Sequence, residues 1–108
     1  MNTQTIGFIG LGLIGGSIAK ALRIKHPDAR FIAYNRSKAS LIEAMADGTI
    51  NQAMDHIGPA FSECDLIFLC APVSVNIHCL EQLKPIIKPS CILTDVGSVK
   101  TTMHEAVE

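Results

Sequence analysis

Three short stretches of this chain combine residue types that could do chemistry. The first is Gly10-x-Gly12-x-x-Gly15, a turn that follows the apolar run Ile6, Phe8, Ile9; the second is Asn35-Arg36-Ser37; the third is Asp95-Val96-Gly97-Ser98-Val99-Lys100. The glycine spacing is that of a phosphate-holding turn in a dinucleotide-binding βαβ unit. In such a turn Gly10 permits the tight exit from a strand, Gly12 lets a pyrophosphate approach the backbone, and Gly15 lets the next helix pack closely. The phosphates would meet the helix N-terminus, where unpaired N–H groups and the helix dipole favour an anion. Leu11, Leu13 and Ile14 fill the turn and belong to the expected cofactor site. The same glycines half-match a nucleoside-triphosphatase loop, but that loop needs Lys directly after its last glycine, and Gly16 stands there before Ser17. Without that cation the phosphotransfer reading fails.

The second stretch bears on which dinucleotide would bind. About twenty residues beyond the glycines, a binder of NAD usually carries a carboxylate that accepts from the ribose 2′-OH. Here that position is Asn35. A neutral amide does not repel a 2′-phosphate, Arg36 offers a planar cation, and Ser37 offers a hydroxyl and a helix-start N–H. NADP is therefore expected in preference to NAD. In the third stretch Gly97 allows a turn. Ser98 either caps the next helix or faces the crevice near the reactive end of the cofactor, and the residue types alone leave both open.

These stretches need elements to position them. Thr5–Ile9, Arg30–Tyr34, Ile50–Met54, Leu66–Cys70 and Cys91–Asp95 read as strands, the third of them short. Leu66–Cys70 is an unbroken apolar run, as expected of a strand buried on both faces. Between them, Ile14, Ile18, Ala21 and Leu22 recur at helical spacing. Ser37 is a good N-cap for a second helix ended by Gly48, and Ser74 for a third carrying Ile77, Leu80 and Leu83 inward. Pro59–Glu63 reads as a single helical turn, and a last helical stretch follows Ser98. Strands alternating with helices imply an α/β fold, a Rossmann-type doubly wound parallel sheet of order near 3-2-1-4-5. Ligands of such sheets bind beyond the carboxyl ends of the strands, where the order reverses. The loops expected there are the glycine turn, Asn35-Arg36-Ser37, Ala71-Pro72-Val73 and Gly97-Ser98.

The chain has 108 residues, enough for one domain, and 48% of them are hydrophobic. Nine Lys and Arg against ten Asp and Glu give a net charge of -1. With no basic run, nothing suggests a nucleic-acid or anionic-membrane surface. The longest apolar stretch, Leu66 to Ala71, is far short of a membrane span, and the apolar start has no positive flank of a signal peptide. Cys64, Cys70, Cys79 and Cys91 include no CxxC pair, so neither zinc nor a redox motif is expected. A reducing cytoplasm fits these features.

Taken together, GLGLIGGSIAKAL, LCAPV and TDVGSVK at this spacing resemble the N-terminal domain of the prephenate/arogenate dehydrogenases of tyrosine biosynthesis. The resemblance covers nearly the whole chain. It implies oxidative decarboxylation: hydride passes from the hydroxyl-bearing ring carbon to the nicotinamide, carbon dioxide departs, and the ring becomes aromatic. It also implies that Ser98 lies beside the substrate hydroxyl and that Ala71, Pro72 and Val73 line the cofactor groove. In that family the catalytic histidine sits in a His-Pro segment downstream of GSVK, and a mostly helical C-terminal domain supplies substrate-binding arginines and the dimer interface. This chain is therefore expected to be the cofactor-binding part of a longer, homodimeric enzyme, and alone to bind dinucleotide without turnover. His26, His56, His78 and His104 are poor substitutes for the missing base.

Three further readings remain. Another NADP-dependent reductase or β-hydroxyacid dehydrogenase would share the glycine turn and an Asn-Arg-Ser signature, though DVGSVK argues against it. A non-catalytic dinucleotide-binding module would share the fold. A methyltransferase also uses a glycine-rich first turn, and Asn35 in place of an acid counts against it.

Overall fold

The computed structural model describes residues 4–96. Strands and helices alternate along them: β1 (Thr5–Ile9), α1 (Leu13–Lys25), β2 (Arg30–Tyr34), α2 (Lys38–Ala46), β3 (Gln52–Met54), a 3-10 turn (Pro59–Glu63), β4 (Leu66–Leu69), α3 (Val73–Leu83) and β5 (Ile92–Asp95). All the pairings are parallel and the order is β3-β2-β1-β4-β5, as expected from the alternation. β1 is central and buried along its whole length. Its side chains alternate between two cores. Ile6 and Phe8 join Phe31, Ala33, Ala19 and Leu41 under α1 and α2. Ile9 joins Ile32, Ile67, Phe61, Cys79 and Leu83 under α3 and the 3-10 turn. Phe8 anchors the first core, stacked on Phe68 with centroids 5.4 Å apart and tilted against Phe31 at 5.6 Å.

The helices lie where expected, but two of them present a different face. On α1 the buried stripe is Gly15 and Ala19, flanked by half-buried Ile18 and Leu22, whereas Ile14 and Ala21 are exposed. Small residues at i and i+4 let the helix axis come close to the sheet, and that closeness decides the face. On α3 the buried residues are Asn76, Cys79 and Leu83, with Leu80 half-buried and Ile77 58% exposed. One residue of helix is about 100° of rotation, enough to turn the expected apolar face away. α3 also starts at Val73 with Pro72 as N-cap, so Ser74 lies inside the first turn and caps nothing. By contrast, α2 ends as its sequence implies. Gly48 takes φ +80, and Gly48 and Thr49 donate back to Met45 and Ala44.

At the amino edge of the sheet Arg23 holds several loops together. Its guanidinium donates to the carbonyls of Ala29 (2.8 Å) and Pro27 (3.0 Å) and to Asn51 Oδ1 (2.7 Å), and lies 4.1 Å from the centroid of the Phe31 ring. Asn51 Oδ1 accepts in turn from Phe31 N at 2.7 Å, extending the β2 ladder beside β3.

Candidate functional site

The strand order reverses between β1 and β4. The chain leaves β1 toward one face of the sheet and leaves β4 toward the other, so the two exit loops part and open a cleft. Gly10 begins the first loop with φ +97, a left-handed conformation, and its N–H donates to Tyr34 O at 2.7 Å. A Cβ on Gly10 would lie 2.9 Å from Ala71 N, and one on Gly15 only 2.2 Å from the carbonyl oxygen of Gly10. Both glycines are required by the chain's own packing. Gly12 differs, because among the described residues no atom beyond its own chain neighbours comes within 4 Å of the place its Cβ would take. Gly12 is also the N-cap of α1, with no side-chain capping bond and no acidic residue in the first helical turn. First-turn N–H groups have no intrahelical acceptor. The open space thus adjoins unpaired donors and the positive end of a helix dipole, and nothing on the helix itself competes for them.

The loop after β2 forms one wall. Asn35 Oδ1 accepts from Leu11 N at 2.9 Å, and Asn35 Nδ2 donates to Ser37 O at 3.0 Å. The amide therefore braces the glycine turn from outside. Arg36 is exposed and makes no ion pair among the described residues. Ser37 is the N-cap of α2 in extended conformation, and its hydroxyl makes no capping bond.

The loop after β4 forms the opposite wall. Between the two walls runs a groove of about 280 Å³ that brings together Gly10, Gly12, Asn35, Arg36, Ser37, Ala71 and Pro72, with Tyr34, Cys70 and Val75. A second hollow of about 340 Å³ shares Tyr34, Arg36 and Val75 with it and continues past Ser74 and His78. Burial, and then the Asp95 carboxylate, push the Cys70 thiol up to about 11. It stays neutral and sets no negative charge against an anionic ligand.

Other expected site residues fall elsewhere. Leu11 turns its side chain into the core under α1 and α2, Ile14 points outward, and Val73 stands 40% exposed at the start of α3 while Val75 faces the groove. Leu13 lies in the turn, at the first position of α1. Gly97 and Ser98 lie outside the described residues. Of the histidines, His26 caps α1 at the opposite edge and His56 pairs with Asp55. Asn76 is the residue that sequence reasoning missed. It is 2% exposed, and its carboxamide bonds the backbone of Leu69 and Ala71. The available signal was its helical spacing to Cys79 and Leu83, which sets a polar residue on a buried face.

A parallel β3-β2-β1-β4-β5 sheet with a glycine turn at its switch point defines a Rossmann-type α/β domain. Residues 18–108 match the family described as prephenate dehydrogenase, nucleotide-binding domain. The chain belongs to that family. It is 34% identical over 103 residues to the cyclohexadienyl dehydrogenase of Zymomonas mobilis, covering 95% of this chain and 35% of that protein. To the prephenate dehydrogenase of Bacillus subtilis it is 36% identical over 98 residues, covering 90% and 26%. The crystal structure of prephenate dehydrogenase from A. aeolicus in complex with hydroxyphenyl propionate and NAD+ superposes with a TM-score of 0.79 at 25% identity, covering 88% of this chain and 34% of that one. The chain thus spans about a third or less of the length of these relatives. No helix among the described residues is long and apolar enough to cross a membrane.

Proposed function

We propose that this chain is the dinucleotide-binding module of a prephenate or arogenate dehydrogenase and takes NADP in preference to NAD. The observation that carries the reading is the unfilled space at Gly12, beside the N-terminal turn of α1. The pyrophosphate lies there, against the N–H groups that follow Gly12. Arg36 and the Ser37 hydroxyl, neither engaged elsewhere among the described residues, take the 2′-phosphate, and no carboxylate replaces Asn35 to oppose it. Ala71 and Pro72 form the opposite wall, and Gly97 and Ser98 are proposed to meet the reactive end. A bound oxidised nicotinamide supplies a hydride acceptor. The residues of this chain bind and orient it and keep the groove free of competing charge. That a relative was crystallised with NAD+ supports a dinucleotide on this fold.

On this reading the chain is one domain of a longer, cytoplasmic, homodimeric enzyme of tyrosine biosynthesis. The catalytic histidine and the substrate arginines lie in its other part, and the isolated module binds without turnover. Calorimetric titration of the 108-residue chain with NADP and with NAD tests this. Tighter NADP binding is expected. Tighter NAD binding would overturn the 2′-phosphate assignment alone, and binding of neither would overturn the module reading.

A further inference from the structure

We propose that Asn76 is the positioning residue of the groove, holding the Ala71–Pro72 wall in its ligand-ready shape before any dinucleotide arrives; the inference rests on the dinucleotide reading above. β4 ends at Leu69, and beyond it the Cys70 N–H still bonds to Ile9 O at 2.8 Å, whereas Ala71 has no partner in the ladder among the described residues. Asn76 stands in for one. Its Oδ1 accepts from Ala71 N at 3.1 Å, and its Nδ2 donates to Ala71 O at 2.8 Å and to Leu69 O at 3.3 Å. The Ala71 backbone held in this way backs directly onto Gly10, the first residue of the glycine turn: its N and Cα lie 2.9 and 3.0 Å from where a Gly10 Cβ would be. The amide therefore acts on the phosphate turn through the Ala71 peptide, without facing the groove itself.

Burying an amide is unfavourable unless every polar atom finds a partner. At a position sharing a face with Cys79 and Leu83, an aliphatic side chain would serve packing alone. What the amide adds is a single fixed course for three backbone groups at the mouth of the groove. A wall ordered in advance leaves less conformational freedom to be lost on binding, which raises affinity without any new contact to the ligand. Across the cleft Asn35 holds Leu11 N in the same manner, so the glycine turn is braced from both sides.

The test is titration of the 108-residue chain and its Asn76→Leu variant with NADP, each below its own melting temperature. Asn76→Leu is expected to bind roughly tenfold to a hundredfold more weakly. A residue needed only for stability would lower Tm and leave the dissociation constant of the folded protein unchanged, and that result overturns the inference while leaving the dinucleotide reading intact. If the unsubstituted chain binds neither NADP nor NAD, the reading itself fails and the inference with it. Should the variant not fold, amide exchange in the unsubstituted chain decides. The Ala71 N–H is expected to be protected already without NADP, and free exchange that slows only on adding NADP overturns the proposal.

Discussion

Asn35 Oδ1 accepts a hydrogen bond from the backbone N–H of Leu11 at 2.9 Å, tying the end of β2 to the glycine turn. The residue that stands where a ribose-binding acid is usual is thus a structural brace, and recognition of the 2′-position falls to its neighbours. Arg36→Asp is expected to move the NADP/NAD affinity ratio toward NAD by roughly tenfold to a hundredfold, the worth of a charge-assisted bond. Asn35→Asp keeps an acceptor for Leu11 but loses the donor to Ser37 O, so it should shift the ratio less and lower Tm as well. Paired calorimetric titrations check both. An Arg36→Asp ratio equal to that of the unsubstituted chain would remove Arg36 from recognition.

Gly12 and Gly15 of the turn should separate cleanly on substitution. Gly12→Ala meets no atom of the described residues beyond its chain neighbours, so Tm should hold while dinucleotide binding is lost. Gly15→Ala forces a methyl onto the carbonyl of Gly10, a backbone oxygen that cannot swing aside, and should destabilise the fold by roughly 3 kcal/mol. Melting curves and titrations of the two variants side by side suffice. Unaltered binding by Gly12→Ala would mean that the open space is not where the phosphates lie.

Arg23 should behave as a core residue despite its charge. Arg23→Ala leaves carbonyls of the α1–β2 loop and Asn51 Oδ1 short of a donor and uncovers the Phe31 ring. A loss of roughly 2 kcal/mol is expected. Arg23→Lys recovers little, because an ammonium cannot reproduce the planar fork. Urea unfolding with an unchanged m-value is the measurement, and full rescue by Lys would count against this account.

Acid stability should depend on Asp65. A hydrogen bond from Lys88 and then one from Thr5 N hold its carboxyl below the usual carboxylate range. A depressed folded-state value means that the stabilisation is present above the unfolded carboxylate pKa of about 3.9 and fades as pH falls through the folded value. At neutral pH Asp65→Asn should therefore melt a few degrees lower than the parent, and the two curves should converge in strong acid. The same pair raises the Lys88 ammonium, so its share persists at neutral pH and disappears only in strong alkali. Parallel melting curves at every pH would exclude the effect.

The strands and their order were legible in the sequence because a sheet covered on both faces demands short apolar runs, and alternation with helices restricts how they connect. Helix faces were less legible. The expected stripe on α1 weighted Ile14 and Ala21 by hydrophobicity, whereas closeness to the sheet selects small Gly15 and Ala19. On α3 the expected stripe passed over Asn76 because a polar residue scores as outward, although its amide is fully partnered inside. Arg23 stands in the last turn of α1, where a cation is favourable in any case, and its distant acceptors, Thr49 O and Asn51 Oδ1, become neighbours only after the chain turns back. At the candidate site the glycines and the Asn35-Arg36-Ser37 loop were readable as types. The brace by Asn35 and the replacement of Val73 by Val75 in the wall depend on side-chain direction, which residue spacing does not carry.

The central place of β1 has a kinetic consequence. Its neighbour β4 is distant in sequence, with Thr5 and Asp65 bonded across 60 positions, and Gly10 is walled in by Ala71. The glycine turn is therefore not a local motif that forms as it is made. Tyr34 and Asn35 hold one side of it, and its shape is completed only when the second half of the chain docks, a non-local closure of the kind that slows folding. A nascent chain that has emerged only through β3 carries every glycine of the turn and still lacks the Ala71 wall behind it.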